Sequence, residues 1–566
     1  MKRIAIVLCV ALAFAGIGWA TYRAAAPAPQ PLSKYVPAGP VLYLEAKDFS
    51  SLLSDWNSSP QKRQWVQSDS YEVFSRSRLF LRLKGASDQF AATAGLPPDM
   101  NFLSQLSGAD SVLALYDIGT LQFLYITHLP SAKSMETSLW QTRSKFEPRS
   151  AGGINFYLRR DPESKREVAF AVSGDYLLLA TREDLMAGAL TLISGKPDRN
   201  VESEQWWALS TGASPQAGDL RMVLDLGKLV PNGYFRTYWV QQNITDLSQY
   251  SAAVSDLFRD GKQYREERVL IRKQEKEKEA SAEGLSAAAD LVRLVPDDAG
   301  IYLAKANPTA DSCFSLLETK LLAPHLGSVP GSQMAPEVQL TSGEQGGASD
   351  LETRIDQVPP ERTAQSTSAL QELLNKTPIL ASLQVQSTER DSAGVFVRTH
   401  SGVVLMAASE WNEPNVQSAL TAFVRLSLTA SQLGVGWQQK SSYQQLDGLW
   451  PLAASVQGKY LLVSDAPALI ERMLVNFGRK SDRQPASLLA GFDHAQQRAN
   501  FVSFARLVDR PNVSTATSTG IEHQPQFFSG NIASLSSTLS AVSSERIEVR
   551  GDGGTVRQTV TYQWTQ

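Results

Sequence analysis

Cysteine is almost absent from this chain: Cys9 and Cys313 are the only two in 566 residues. Cys9 lies in an apolar N-terminal run, so the rest of the chain carries one thiol and no internal disulfide can brace it. Packing alone must hold the fold. Cys313 itself reads as a small buried hydrophobe on a helix, Ser312 to Leu317. Leu8 stands before Cys9 where a lipid-attachment signal needs a small residue, which excludes a lipoprotein.

Histidine is also scarce. The five are His128, His325, His400, His494 and His523, and none belongs to an HExxH motif. No CxxC and no EF-hand loop occurs, so neither a metal nor a cofactor has a motif to support it. There is no Gly-x-Ser-x-Gly elbow for a hydrolase. Gly195-Lys196-Pro197 imitates the end of a phosphate loop, but proline stands where Ser or Thr is needed, and Gly195 reads instead as a helix C-cap. Asp297-Asp298, adjacent before a strand, point apart and read as a solvated turn. A formal net charge of −3 supplies no basic field, and nucleic acid is not expected as a partner. These absences leave no catalytic, cofactor-binding or metal residue to nominate.

What is present begins with an export signature. Met1-Lys2-Arg3 precedes an apolar helix from Ile4 to Ala20, and Thr21-Tyr22-Arg23 follows. Residues 1–23 therefore read as a signal peptide or signal anchor. Trp19 and Tyr22 sit where interfacial aromatics hold a spanning helix, favouring a retained tether to the inner membrane through residues 4–20. An Ala/Pro-rich spacer follows at 24–33. The expected location is periplasmic or otherwise extracytoplasmic.

The rest of the chain makes each structural statement twice. Val172-Ser173-Gly174-Asp175-Tyr176-Leu177-Leu178-Leu179 returns as Val456-Gln457-Gly458-Lys459-Tyr460-Leu461-Leu462-Val463. Val36-Pro37 and Tyr43-Leu44 return as Val295-Pro296 and Tyr302-Leu303. Each opening predicts a turn, a strand and a helix; each later motif predicts a Gly turn, a buried strand and a helix. Between them, Val112 to Tyr116, a Gly119 turn and Leu121 to Tyr125 are matched with Val395 to Val397, a Gly402 turn and Val403 to Met406. On that alignment His400 falls opposite Asp117 and His128 opposite Trp411, so no histidine is repeated. A helical run through Met135 and Leu139 matches one through Val416, Leu420 and Phe423.

Both halves are expected to close alike. A strand (Met222 to Leu226; Phe501 to Phe504) leads to an amphipathic helix, with apolar stripes Val240, Ile244, Leu247, Val254 and Ile532, Leu535, Leu539, Val542. Asp-Gly hairpins follow at Asp260-Gly261 and Asp552-Gly553, with return strands Arg268 to Ile271 and Thr559 to Tyr562. Trp206, Trp207, Trp437 and Trp450 read as packing residues rather than a ligand groove.

The predicted fold is α+β: two tandem copies of one domain, each a mainly antiparallel sheet with helices on one face. The boundaries are 34–272 for the first copy, 273–290 for a charged helical linker and 291–566 for the second copy. A flexible Pro/Gly/Ser-rich insert is expected at 325–368. The paired Val-Pro…Tyr-Leu and Gly-x-Tyr-Leu-Leu motifs behind an export signal resemble a family of exported bacterial domain-of-unknown-function proteins. That resemblance implies no activity, cofactor or catalytic residue. The function expected is non-enzymatic binding or scaffolding in the cell envelope, with an envelope protein or an apolar ligand as partner. The rivals are an envelope hydrolase with a dispersed active site and a carrier of an apolar ligand between the two domains.

Overall fold

The Gly174 and Gly458 turns govern the strand pairing around them. Both glycines adopt φ of +57°, a conformation that costs an L-residue energy and costs glycine little. Each reverses the chain, so Ser173 pairs with Tyr176 and Gln457 with Tyr460. The return strands Tyr176–Ala180 and Tyr460–Ser464 share one burial pattern: four buried residues follow the tyrosine. After the first comes helix Glu183–Ile193, its first turn acidic where the helix dipole favours negative charge. Gly195, at φ +76°, ends it as expected, its N–H donating to the Leu192 carbonyl at 3.0 Å.

This computed structural model describes residues 30–67, 71, 75–76, 78–96, 102–162, 164–238, 247–260, 263–274, 280–322, 364–390, 397–428, 436–447, 452–493 and 542–564. The N-terminal apolar helix, Trp450, His325, His494, His523, Phe501 to Phe504, Val240, Ile244, Ile532, Leu535, Leu539, Gly261 and most of the 325–368 insert lie outside them. Among the described residues no helix is long and apolar enough to cross a membrane. The chain divides into two compact units, 1–50 with 86–208 and 51–85 with 209–566. These are not the halves that the sequence motifs mark out.

In the first unit the strands are β1 (Leu42–Ala46), β2 (Ser111–Asp117), β3 (Gln122–His128), β4 (Glu147–Ala151), β5 (Ile154–Arg160), β6 (Glu167–Ser173) and β7 (Tyr176–Ala180). All pair antiparallel, in the order β4-β5-β6-β7-β3-β2-β1. Tyr43 on β1 is fully buried and meets Trp207 edge-on at 4.4 Å. Trp206 and Trp207 are both core residues.

The second unit holds β8 (Leu220–Asp225), β9 (Tyr250–Asp260), β10 (Gln263–Arg272), β11 (Ala299–Ala306), β12 (Ile379–Arg390), β13 (Val397–Ala407), β14 (Gly436–Gln439), β15 (Gln444–Asp447), β16 (Leu452–Gln457), β17 (Tyr460–Ser464), β18 (Leu488–Asp493), β19 (Val542–Gly551) and β20 (Thr555–Trp564). One run of it, β14-β15-β16-β17-β13-β12-β11, has the strand order of the first unit. It continues through β18, β19 and β20 to β10, β9 and β8. The protein is thus α+β with antiparallel pairing throughout the described strands, as its paired strands and tight turns predict.

Four expectations need correction. Helices cover both faces of the second unit's sheet, not one. Leu461 and Val463 pack with helices Ala310–Leu317, Ala364–Lys376 and Glu413–Leu428, while Leu462 packs with Ala282–Leu291 and Pro467–Val475. A strand apolar at consecutive positions exposes two apolar faces, and both must be covered. Gly402 is not a turn: it sits within β13, paired with Val385 and Ser464. Any Cβ there would lie 3.0 Å from the Met473 sulfur, so this glycine admits the helix packed above it. Val254 and Val542 belong to strands β9 and β19 rather than to closing helices. Finally, the end of the expected linker, from Ala282, is helical as expected but packs into the core through Ala287, Ala288, Ala289 and Leu291, while 275–279 lie outside the described residues. The end of the expected insert, from Ala364, is likewise helical.

Candidate functional site

The corrected register places the two histidines that lie among the described residues. His128 pairs with Tyr176 in the first unit and its ring meets that tyrosine edge-on at 4.6 Å. The residue facing Tyr460 is Met406. The two strand-borne histidines therefore remain at unmatched positions, with partners different from those the sequence alignment gave. His400 lies beside two carboxylates: Nε2 is 3.1 Å from Glu389 Oε2, and Nδ1 is 3.8 Å from Asp465 Oδ1. Asp465 is already engaged, accepting the Ser401 N–H at 2.8 Å. No hydroxyl or thiol bonds to the His400 ring among the described residues, so the cluster holds a base without a nucleophile.

Cys313 is fully buried, and burial pushes its thiol up to about 12. Asp297 and Asp298 each face an arginine, Arg479 at 2.9 Å and Arg472 at 3.3 Å, and not each other's ligand. The hydrogen bond from Arg479 holds Asp297 below the usual carboxylate value. No cluster of three or more metal-ligating side chains occurs among the described residues.

Two polar networks lie on β9, β10, β19 and β20. Asp256 is fully buried on β9 and is satisfied at both oxygens. Oδ1 accepts from Arg221 Nε at 2.7 Å and the Gly218 N–H at 3.0 Å; Oδ2 accepts from Arg221 Nη2 at 2.9 Å and Ser214 Oγ at 2.7 Å. This ion pair is closed. Glu266 on β10 accepts two bonds of 2.6 Å from Arg268 and one of 2.7 Å from Ser255. Burial alone would raise its pKa, but these bonds carry it below the ordinary value. Glu545, facing the same network, is pushed up by burial, with Glu266 adding to the effect. Opposed shifts of this kind mark acid–base pairs in enzymes, yet here Arg268 occupies both oxygens of the ionised partner.

An open site is found elsewhere in the second unit. A cavity of about 570 Å³ lies over β11, β18 and β19, between the Val292–Ala299 and Arg479–Arg483 segments. Its floor follows from one cross-strand row. Tyr302 pairs with Gly491, Gly491 with Arg546 and Arg546 with Thr561, so their side-chain positions share a face. Gly491 admits the Tyr302 ring at the edge of the cavity: a Cβ there would lie 2.1 Å from that ring. With no side chain at 491, the ring lies down over the strand. Burial raises the Tyr302 phenol, and the guanidinium groups of Arg483 and Arg546 act the other way, which places both near it. Arg483 is held loosely, 3.6 Å from Asp482 and 3.8 Å from Glu548. Arg546 makes no ion pair and donates no hydrogen bond among the described residues, and its side chain is exposed. The sequence nominated no site residue, and none of these three belongs to a recognisable binding motif.

No family model matches the chain, and no curated protein matches it. Solved structures of TP0453 in crystal forms I and IV are each 11% identical to it. They cover 45% and 43% of this chain and 82% and 80% of their own, with TM-scores of 0.26 and 0.23. Similarity at that level carries neither fold nor function across.

Proposed function

We propose that this chain is an exported, membrane-tethered envelope protein built from two tandem copies of one α+β domain, and that it binds rather than transforms a polar ligand. The cationic start and apolar run of residues 2–20 support the export and tether. The shared strand order of the two sheets and the matched Gly174 and Gly458 turns support the duplication. One observation carries the binding reading: a cavity of about 570 Å³ over β11, β18 and β19, lined by polar side chains of which Arg546 has no partner among the described residues. The charged lining favours a polar ligand over the apolar cargo of a carrier. The hydrolase reading has only the Glu389–His400–Asp465 group in its favour, and among the described residues no hydroxyl or thiol bonds to that histidine.

The test is complementation of a strain in which deleting the gene has a phenotype. Ser544→Trp, which fills the cavity, should fail to complement while folding and export stay normal. His128→Ala with His400→Ala should complement fully. The opposite pattern, with the filled cavity tolerated and the histidines required, would replace binding with catalysis.

A further inference from the structure

We infer that the cavity bordered by Tyr302, Arg483 and Arg546 is a site for an oxyanion-bearing ligand, a carboxylate or a phosphate, and that it occupies ground that the first half fills with core. The inference rests on the binding reading above and narrows it to a ligand class.

The comparison of the two halves carries the argument. The hairpins β9–β10 and β19–β20 have corresponding turns, with Asp260 and Asp552 at their starts. On that correspondence Val254 matches Arg546, and Asp256 matches Glu548. Val254 pairs with Val223 just as Arg546 pairs with Gly491. Val223 and Val254 are buried, two apolar side chains closing that row. In the second half the same positions hold a glycine and an exposed arginine, and a cavity stands above them.

The acid two residues along the strand tells the same story. Asp256 is locked by a bidentate arginine, a serine and a backbone N–H, all buried. Its counterpart Glu548 has Arg483 only at 3.8 Å, with Arg550 at 3.3 Å on the exposed side. Arg483 is thus free to turn toward a ligand, whereas Arg221 is not.

The lining selects charge by sign. Asp297 is neutralised by Arg479, and Arg293 is taken up by Asp290 and Tyr460. The lining also carries Lys480, Asp482, Asp493 and Glu545. Asp482 stands 3.6 Å from Arg483 and Glu545 lies near Glu266 and Arg268, while Arg546 and the Tyr302 hydroxyl make no hydrogen bond or ion pair among the described residues. Two guanidinium groups and a phenol are donors only toward an anion, and planar guanidinium forks suit carboxylate and phosphate oxygens. Gly491 lets the Tyr302 ring lie across β18, because any larger residue would meet that ring.

The experiment is thermal melting of the full chain at constant ionic strength, with inorganic phosphate or succinate replacing chloride. The melting temperature should rise saturably with at least one of the two, and the responding probe distinguishes phosphate from carboxylate. Arg546→Gln should weaken the apparent affinity tenfold or more and Arg483→Gln should weaken it less. Lys133→Gln, the same charge change at an exposed residue outside the cavity, should leave it unchanged. Saturation by neither probe, or equal responses from Arg546→Gln and Lys133→Gln, would overturn the oxyanion assignment. Failure of the broader binding reading would show separately, as normal complementation by Ser544→Trp.

Discussion

Glu267 and Thr559 face each other across the antiparallel pair β10–β20, and each lies seven residues beyond the aspartate that opens its hairpin, Asp260 or Asp552. Residues in equivalent positions meet only where a local two-fold axis passes between them. From this pair the register runs outward alike on both sides: Glu267 to Asp256 and Arg221, Thr559 to Glu548 and Leu489. The β9–β10 and β19–β20 hairpins thereby lie in one sheet, and the cavity row lies two residues along from the pair.

The Arg221–Asp256 pair is bidentate and buried on both sides, and its removal should be costly. Asp256→Ala leaves a buried guanidinium without its carboxylate, a loss of about 3–5 kcal/mol. Urea unfolding of the variant should show a midpoint lowered accordingly with an unchanged slope. A change below 1 kcal/mol would mean that the pair is solvated and does not brace β8 against β9.

Gly174 and Gly458 should respond equally to substitution. Nothing lies within 4 Å of a Cβ added at either, so only the positive φ is penalised. Gly174→Ala and Gly458→Ala should each cost about 1–2 kcal/mol, read as matched losses in denaturant midpoint. A large loss at one and none at the other would show that the two turns differ in conformation.

Much of this was legible in the residues. The two tyrosine-led strands, their glycine turns and the Gly195 cap all lie where their patterns place them, because local turn chemistry determines them. Elements decided by what packs above them were not. Gly402 has the composition of a turn, and only the Met473 sulfur over it explains a glycine in mid-strand. Val254 fits a helical stripe, but the alternation Ala252, Val254, Asp256 is the true period, with a buried acid where an apolar residue is expected. The cavity had one signal, Gly491 inside the strand Leu488 to Asp493, which marks a close approach. Arg546 had none, since its freedom depends on which side chains fail to reach it.

The Cys313 thiol should be inert in the folded protein. In a Cys9→Ser background, iodoacetamide at pH 8 should label it only after unfolding. The pH dependence follows from its raised pKa. Below the ordinary value of 9.0 both states hold the proton and the contribution to stability is complete. Above it the unfolded thiol ionises first, so stability falls as pH rises from 9.0 toward about 12. Cys313→Ala should flatten that alkaline decline; a decline of the same slope would assign it to other groups.

The pairing of Glu267 with Thr559 underlies both the joined sheet and the row that forms the cavity. Directly opposed residues of an antiparallel pair have Cα atoms about 4.5–5.5 Å apart, within reach of a disulfide. Glu267→Cys combined with Thr559→Cys, in a background lacking Cys9, should therefore oxidise within one chain and shift mobility on a non-reducing gel. Glu267→Cys combined with Gln558→Cys places the thiols on opposite faces and should not. Equal cross-linking by both pairs, or by neither, would contradict the register on which the account stands.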